Sequence, residues 1–161
     1  MLLIALSLNI FIQEQNSSNM TCPFCDESII AREKFYESTH CYGIYNHKPI
    51  VQGHIMVIPK KHYQRLHELS AEEKHDLIDS VEACTRILKK AYGIPDFSIL
   101  LQDGEKAGQT VPHLHFHIAP MNGSLATREL VNLAKSKDRP LISDEEMEKE
   151  VEKLRVSSGD L

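Results

Sequence analysis

Short apolar runs broken by turn residues fill residues 35–59 of this chain and predict two or three strands there. One covers residues 41–46 and another residues 54–59, with Lys48-Pro49 and Gln52-Gly53 marking the turn between them. The period then changes. Leu77, Val81, Cys84 and Leu88 recur at helical spacing behind the capping box Ser70-Ala71-Glu72-Glu73, which predicts one amphipathic helix over residues 71–92, stopped by Gly93-Ile94-Pro95. Strand patterns return at residues 97–102 and 113–120, expected to pair antiparallel. Ser143 opens a second capping box, and residues 145–155 read as an exposed, mostly acidic helix. This order predicts an α+β fold: an antiparallel sheet of about five strands, one long helix on a face, and a C-terminal helical extension.

At 161 residues the chain holds one domain's worth of core, and 42% hydrophobic with 25% charged residues is a globular balance. A formal net charge of −5 argues against a broad nucleic-acid surface, so phosphate must be held by local groups. Residues 1–19 stand apart. Their apolar run resembles the core of a signal peptide, but a basic leader and a clear small-residue cleavage site are missing, and the run is too short to span a bilayer comfortably. It is read as a poorly ordered extension before a functional start at Met20, with secretion as the alternative. Cytoplasmic location and no membrane partner are the expectation. Four cysteines fit a reducing compartment better than a disulfide scaffold.

The chemistry concentrates at His113-Leu114-His115-Phe116-His117. Successive strand side chains point to opposite faces, so the imidazoles share one face while Leu114, Phe116 and Ile118 pack on the other. Imidazole serves as nucleophile, acid–base group or metal ligand near neutral pH. The preceding loop carries Gly104 and Gly108, and glycines let backbone N–H groups approach an anion. Cys22-Pro23-Phe24-Cys25 is a C-x-x-C, open by itself to a redox pair, half of a zinc site, or two unrelated thiols. No P-loop and no magnesium-binding carboxylate cluster appear, which disfavours the usual kinases and NTPases.

Gly108-Gln109-Thr110-Val111 followed by the three alternating histidines resembles the histidine triad (HIT) family of nucleotide hydrolases and transferases, and the stretch 102–117 is most similar to its fragile histidine triad branch, which cleaves diadenosine polyphosphates. Residues 53–62, Gly-His-Ile-Met-Val-Ile-Pro-Lys-Lys-His, also match the family, nearest to its nucleoside phosphoramidase branch. The resemblance spans roughly residues 22–121, which divides the chain into an extension (1–19), a HIT domain (20–121) and a C-terminal extension (122–161).

The resemblance implies a hydrolase for nucleoside 5′-diphosphate-X substrates such as dinucleoside polyphosphates. His115 is then the nucleophile that forms a covalent nucleotidyl-histidine, and AMP is the product. His117 would contact the same phosphate or the leaving group, and His54 would orient the triad. Gln102, Gly108, Gln109, Thr110 and Val111 are implied phosphate contacts, and Asn46 a ribose contact, although Asn46 in Asn-His-Lys-Pro is also ordinary turn chemistry. Phe24, Ile29 and Tyr45 are candidates for the wall of a purine slot, or equally ordinary core. Zinc-containing relatives imply a structural Zn2+ on Cys22, Cys25, His62 and His113, with no catalytic metal. A homodimer joined through the long helix and a sheet edge is implied. The alternatives are a phosphoramidase, a nucleotidyltransferase or phosphorylase, and a nucleotide-binding signalling module.

Overall fold

A computed structural model describes residues 22–123 and 139–159. The reading of residues 1–19 as an extension lies outside the described residues. A 3-10 turn at Pro23–Cys25 leads into helix α1 (Glu27–Glu33). Strands β1 (Lys34–Glu37), β2 (Cys41–Tyr45) and β3 (Ile55–Pro59) follow, then helix α2 (Ala71–Tyr92), strands β4 (Phe97–Leu101) and β5 (Phe116–Pro120), and helix α3 (Asp144–Ser158). The five strands form one antiparallel sheet in the order β1-β2-β3-β5-β4.

The strand period sorts side chains between two cores. Tyr45, Ile55, Val57, Leu114 and Ile118 face α2 and α3, while Ile44, Met56 and Ile58 pack with Cys22, Phe24 and Ile30 on the opposite face. Helix α2 matches its expected range. Ser70 accepts from the Glu73 N–H, the Glu73 carboxylate accepts from the Ser70 N–H, and Gly93 ends the helix in the left-handed conformation. The helix lies close on the sheet at Gly43, where an added Cβ would come within 2.9 Å of Cys84 Sγ.

Three expectations are corrected. Regular strand structure begins at Phe116, not His113, because the preceding backbone has other partners: His113 N–H donates to Val111 O and Leu114 N–H to Tyr63 O. The alternation nevertheless persists through this extended segment, with Leu114 and Ile118 in the core. Helix α1 was not expected. Its local signal is Asp26, whose carboxylate caps Ser28 and Ile29 N–H groups.

The third correction concerns α3, which is docked, not solvated all round. Met147, Val151 and Leu154 form a buried stripe at helical spacing, and the buried Glu150 carboxylate accepts from Gln52 Nε2 at 2.8 Å and from the Tyr92 hydroxyl. Its other acidic residues colour the outer face. Leu154→Ala is therefore expected to cost about 2–5 kcal/mol. In a thermal melt the Tm should drop by roughly 5–15 °C; an unchanged Tm would show that α3 does not support the fold.

Candidate active site

The site forms on the sheet face that α2 leaves uncovered. His54 enters β3, and His117 sits on β5 opposite Met56. His115 precedes β5 and is buried. The ring centroids of His115 and His117 are 4.8 Å apart, and those of His54 and His117 are 5.1 Å apart. The structure thus brings His54, His115 and His117 together.

Hydrogen bonds fix where the ring protons lie. His115 Nδ1 is 2.7 Å from the His113 carbonyl oxygen, which can only accept. Nδ1 therefore carries the hydrogen, and Nε2 of the neutral ring keeps a lone pair. His54 Nδ1 accepts from the Ile50 N–H at 3.2 Å, so Nε2 carries its hydrogen and donates to His117 Nδ1 at 3.1 Å. That leaves His117 with its hydrogen on Nε2. Two neighbouring rings consequently present opposite faces: a bare nitrogen on His115 and an N–H on His117.

Burial keeps the rings uncharged. It lowers the pKa of His115, and it pushes His117 down to about 3, helped by His115 and by the positive charge of Arg139. His54 is held well below its ordinary value by burial, then by His117 and Arg139.

The glycine loop closes one side. Gln102 is buried and donates Nε2–H to Ala107 O at 3.0 Å. That amide runs so close beneath the loop that a Cβ on Gly108, at φ +100°, would lie 2.3 Å from Gln102 Nε2. Gln109 spends its amide on Gln64 O, Thr110 is exposed, and Val111 packs on the Cys22 cluster. Asn46 shows its expected turn chemistry and also lies against His54. Its Oδ1 accepts from the Lys48 N–H as in a turn, and its Nδ2 lies 3.5 Å from His54.

The candidate base slot divides. Ile29 lines a recess of about 380 Å3 with Pro23, Val111, Leu141 and Ile142. Tyr45 is corrected to core: its ring is 1% exposed on the helix-facing side, and its hydroxyl accepts from Gly53 N–H. Phe24 is 4% exposed and meets His113 and His115 edge-on, with ring centroids 5.7 and 5.3 Å away, so it buttresses the histidines from the opposite core.

Sequence reasoning missed the contribution of residues 139–142. Ile142 N–H donates to His47 O, and Arg139 donates to Lys48 O, which carries its charge to His54 and His117. No local signal marks these residues, because their role depends on where α3 docks.

Cys22, Cys25, His62 and His113 converge at the edge of the site, their ligand atoms all within 4.8 Å of one another. His113 Nε2–H donates to Pro59 O at 2.9 Å, which leaves the Nδ1 lone pair facing Cys22 Sγ at 3.4 Å and Cys25 Sγ at 3.6 Å. His62 Nδ1 lies 3.3 Å from Cys25 Sγ. A tetrahedral zinc, with bonds of about 2.3 Å to sulfur and 2.0 Å to nitrogen, sets such ligands about 3.5 Å apart. The donor set and its spacing fit that ion. Without a cation the group is electrostatically awkward: burial and the neighbouring Cys22 push the Cys25 thiol up to about 11, and a bound dication reverses that preference.

Residues 27–123 match the HIT domain. The chain belongs to this family. A curated relative, bis(5′-adenosyl)-triphosphatase of Saccharomyces cerevisiae, is 36% identical over 93 residues, 57% of this chain and 45% of that protein. The chain spans 21% to 45% of the length of the first curated relatives it matches. Among solved structures, Plasmodium falciparum diadenosine triphosphate hydrolase in complex with cyclomarin A is 31% identical with a TM-score of 0.66, covering 80% of this chain and 78% of that one. A zinc-bound histidine triad family protein from Mycobacterium smegmatis is 26% identical with a TM-score of 0.67, covering 88% and 96%. The HIT match ends before α3, so Arg139, Leu141 and Ile142 reach the site from outside it. No helix among the described residues is long and apolar enough to cross a membrane.

Proposed function

We propose that this HIT protein is a nucleotide hydrolase that cleaves dinucleoside polyphosphates, or related nucleoside 5′-diphosphate-X compounds, at the α-phosphate and releases AMP. The observation that carries this reading is the pair of opposed ring nitrogens. His115 Nε2 has a lone pair held in place by the Nδ1–H bond to His113 O, and His117 Nε2–H stands beside it.

His115 Nε2 attacks the α-phosphorus. A P–N bond forms, the P–O bond to the leaving phosphate breaks, and its electron pair departs with the leaving group, which is stable as an anion at neutral pH. His115 is then cationic, and its Nδ1–H bond to the carbonyl strengthens as a charge-assisted contact. Water next attacks the same phosphorus, the P–N pair returns to His115, AMP leaves, and the proton goes to solvent. One hard displacement becomes two easier ones. His117 Nε2–H stabilises charge on the phosphate oxygens throughout, and the Arg139 charge adds to that field. The Gly108 and Gln109 N–H groups already donate to Glu105 O and Gly104 O, so the loop bounds the phosphate without supplying them, and Asn46 stands near the ribose.

The names of the yeast relative and the Plasmodium structure support a diadenosine triphosphate-like substrate. Zinc on Cys22, Cys25, His62 and His113 is structural in this reading, tying the N-terminal turn to the extended segment that carries the nucleophile; the zinc-bound mycobacterial neighbour supports it. Ile78 on α2 and Ile99 on the edge strand β4 are large exposed apolar side chains on the two elements expected to join a homodimer. Light scattering at micromolar concentration should give a dimer mass, and a monomer mass would remove the dimer from the proposal.

One assay tests the reaction. Diadenosine triphosphate, adenosine phosphoramidate, and diadenosine tetraphosphate with added phosphate are compared side by side. Fastest release of AMP from diadenosine triphosphate is the expected result. Preference for the phosphoramidate would make the enzyme a P–N hydrolase, and phosphate-dependent release of ADP would make it a phosphorylase. Slow turnover of all three with tight AMP binding would leave a binding module.

A further inference from the structure

Helix α3 lies beyond the family match, yet its one buried charged residue is bonded to the turn that delivers His54. Glu150 is 4% exposed, and both of its carboxylate oxygens are in use. Oε1 accepts from Gln52 Nε2 at 2.8 Å, and Oε2 accepts from the hydroxyl of Tyr92, the last residue of α2. Burying a carboxylate is costly. Met147, Val151 and Leu154 already pack α3 into the core, so docking alone does not call for this charge. What the carboxylate adds is a fixed point for one side chain of the β2–β3 turn.

That turn is held from several sides. Gly53, at φ +81°, donates its N–H to the Tyr45 hydroxyl at 3.0 Å. An added Cβ there would come within 2.9 Å of the Tyr92 ring and 3.0 Å of Pro120. Tyr92 thus meets the turn twice, through its ring at Gly53 and through the carboxylate that holds Gln52. The next residue is His54, whose Nδ1 accepts from the Ile50 N–H at 3.2 Å. Ile50 and His54 therefore flank the point that Glu150 pins.

The bond between them decides more than one ring. With the Ile50 N–H in place, His54 carries hydrogen on Nε2 and donates it to His117 Nδ1, which leaves His117 with Nε2–H. If Ile50 drifts away, His54 can take its hydrogen on Nδ1. His54 Nε2 then becomes an acceptor, His117 donates from Nδ1, and the nitrogen beside His115 is left bare. It would then set a lone pair against the phosphate oxygens.

We propose that Glu150, acting through Gln52, is a positioning residue: it holds the 50–54 turn so that His54 and His117 both keep their hydrogens on Nε2. The role deepens the proposed hydrolase and rests on that reading for its catalytic consequence alone. The tautomers belong to the free protein and can be read without substrate.

The test compares the full chain with Gln52→Ala, Glu150→Ala and Glu150→Gln. Gln52 is exposed, so its truncation leaves the packing of α3 intact. Ring tautomers are read from long-range proton–nitrogen correlation spectra of histidine-labelled protein, since protonated and bare ring nitrogens resonate far apart. His54 and His117 should each show a single Nε2–H form in the wild type and a mixture in Gln52→Ala and Glu150→Ala. In those two variants kcat for diadenosine triphosphate should fall about tenfold with KM unchanged. Glu150→Gln should keep the wild-type tautomers and rate, because its amide oxygen accepts from Gln52 and its NH2 donates to the Tyr92 hydroxyl. A merely structural Glu150 would lower the Tm and move neither tautomer nor the balance of kcat and KM. Unchanged tautomers in Gln52→Ala overturn the proposal, whether or not the protein is a hydrolase, and so do shifted tautomers with full kcat. Shifted tautomers in a chain whose wild type does not hydrolyse diadenosine triphosphate uphold the positioning by Glu150 and defeat the hydrolase reading instead.

Discussion

His115→Ala should bind AMP nearly as the wild type does while turnover falls by about 10^4-fold or more. That loss corresponds to roughly 5 kcal/mol of barrier. It is expected to be this large because no other ring can take over. His117 Nδ1 is occupied by the His54 N–H and its Nε2 carries hydrogen, while His54 Nδ1 is occupied by the Ile50 N–H. His113 offers a lone pair, but it faces Cys22 and Cys25. His117→Ala should be milder, since it removes a hydrogen bond to the phosphate and leaves the nucleophile. The decisive measurement is mass spectrometry of wild-type protein quenched during turnover with diadenosine triphosphate. An adenylyl group on His115 is the expected adduct. Substantial hydrolysis by His115→Ala would move the nucleophile elsewhere and leave the opposed-nitrogen argument without consequence.

Much of this site is written locally in the chain. The alternation of histidine with Leu114, Phe116 and Ile118 needs only the strand period to put imidazoles opposite the core, and it survives although regular strand pairing starts at Phe116. The helix behind Ser70 is equally local, with both its cap and its terminating glycine visible in the sequence. What escaped notice depends on docking. Tyr45 reads as a base contact because its neighbours resemble a nucleotide slot, but the parity of β2 sends it to the helix side with Cys41, while Ile44 faces the other core. Glu150 reads as one more solvated acid until Tyr92 and Gln52 close on it. Leu141 and Ile142 gain a role only because α3 folds back and carries the preceding residues past His47.

Isolated protein should contain one zinc per chain, and removing it should lower the Tm by roughly 8–16 °C. The figure assumes an ion present at about a thousand times its dissociation constant, which contributes about 4 kcal/mol, and the Tm sensitivity of a chain this size. The argument starts from the thiols. One buried and one half-buried sulfur and two imidazole lone pairs turned toward one point repel as bare acceptors or force protons to remain, as the raised Cys25 pKa indicates. A dication converts that repulsion into four bonds. The ion would also bind together the Pro23–Cys25 turn, the segment after β3 at His62, and the approach to β5 at His113, reinforcing the packing of Phe24 on His113 and the bond from Leu114 N–H to Tyr63 O. His113 O is the atom that holds His115 in its reactive tautomer, so loss of the ion should loosen the nucleophile as well as the fold. His113→Ala should therefore lose zinc, thermal stability and turnover together. Elemental analysis decides the matter. Zinc retained by His113→Ala would remove that residue from the ligand set, and chelation that strips the ion with no change in Tm would deny it a structural role.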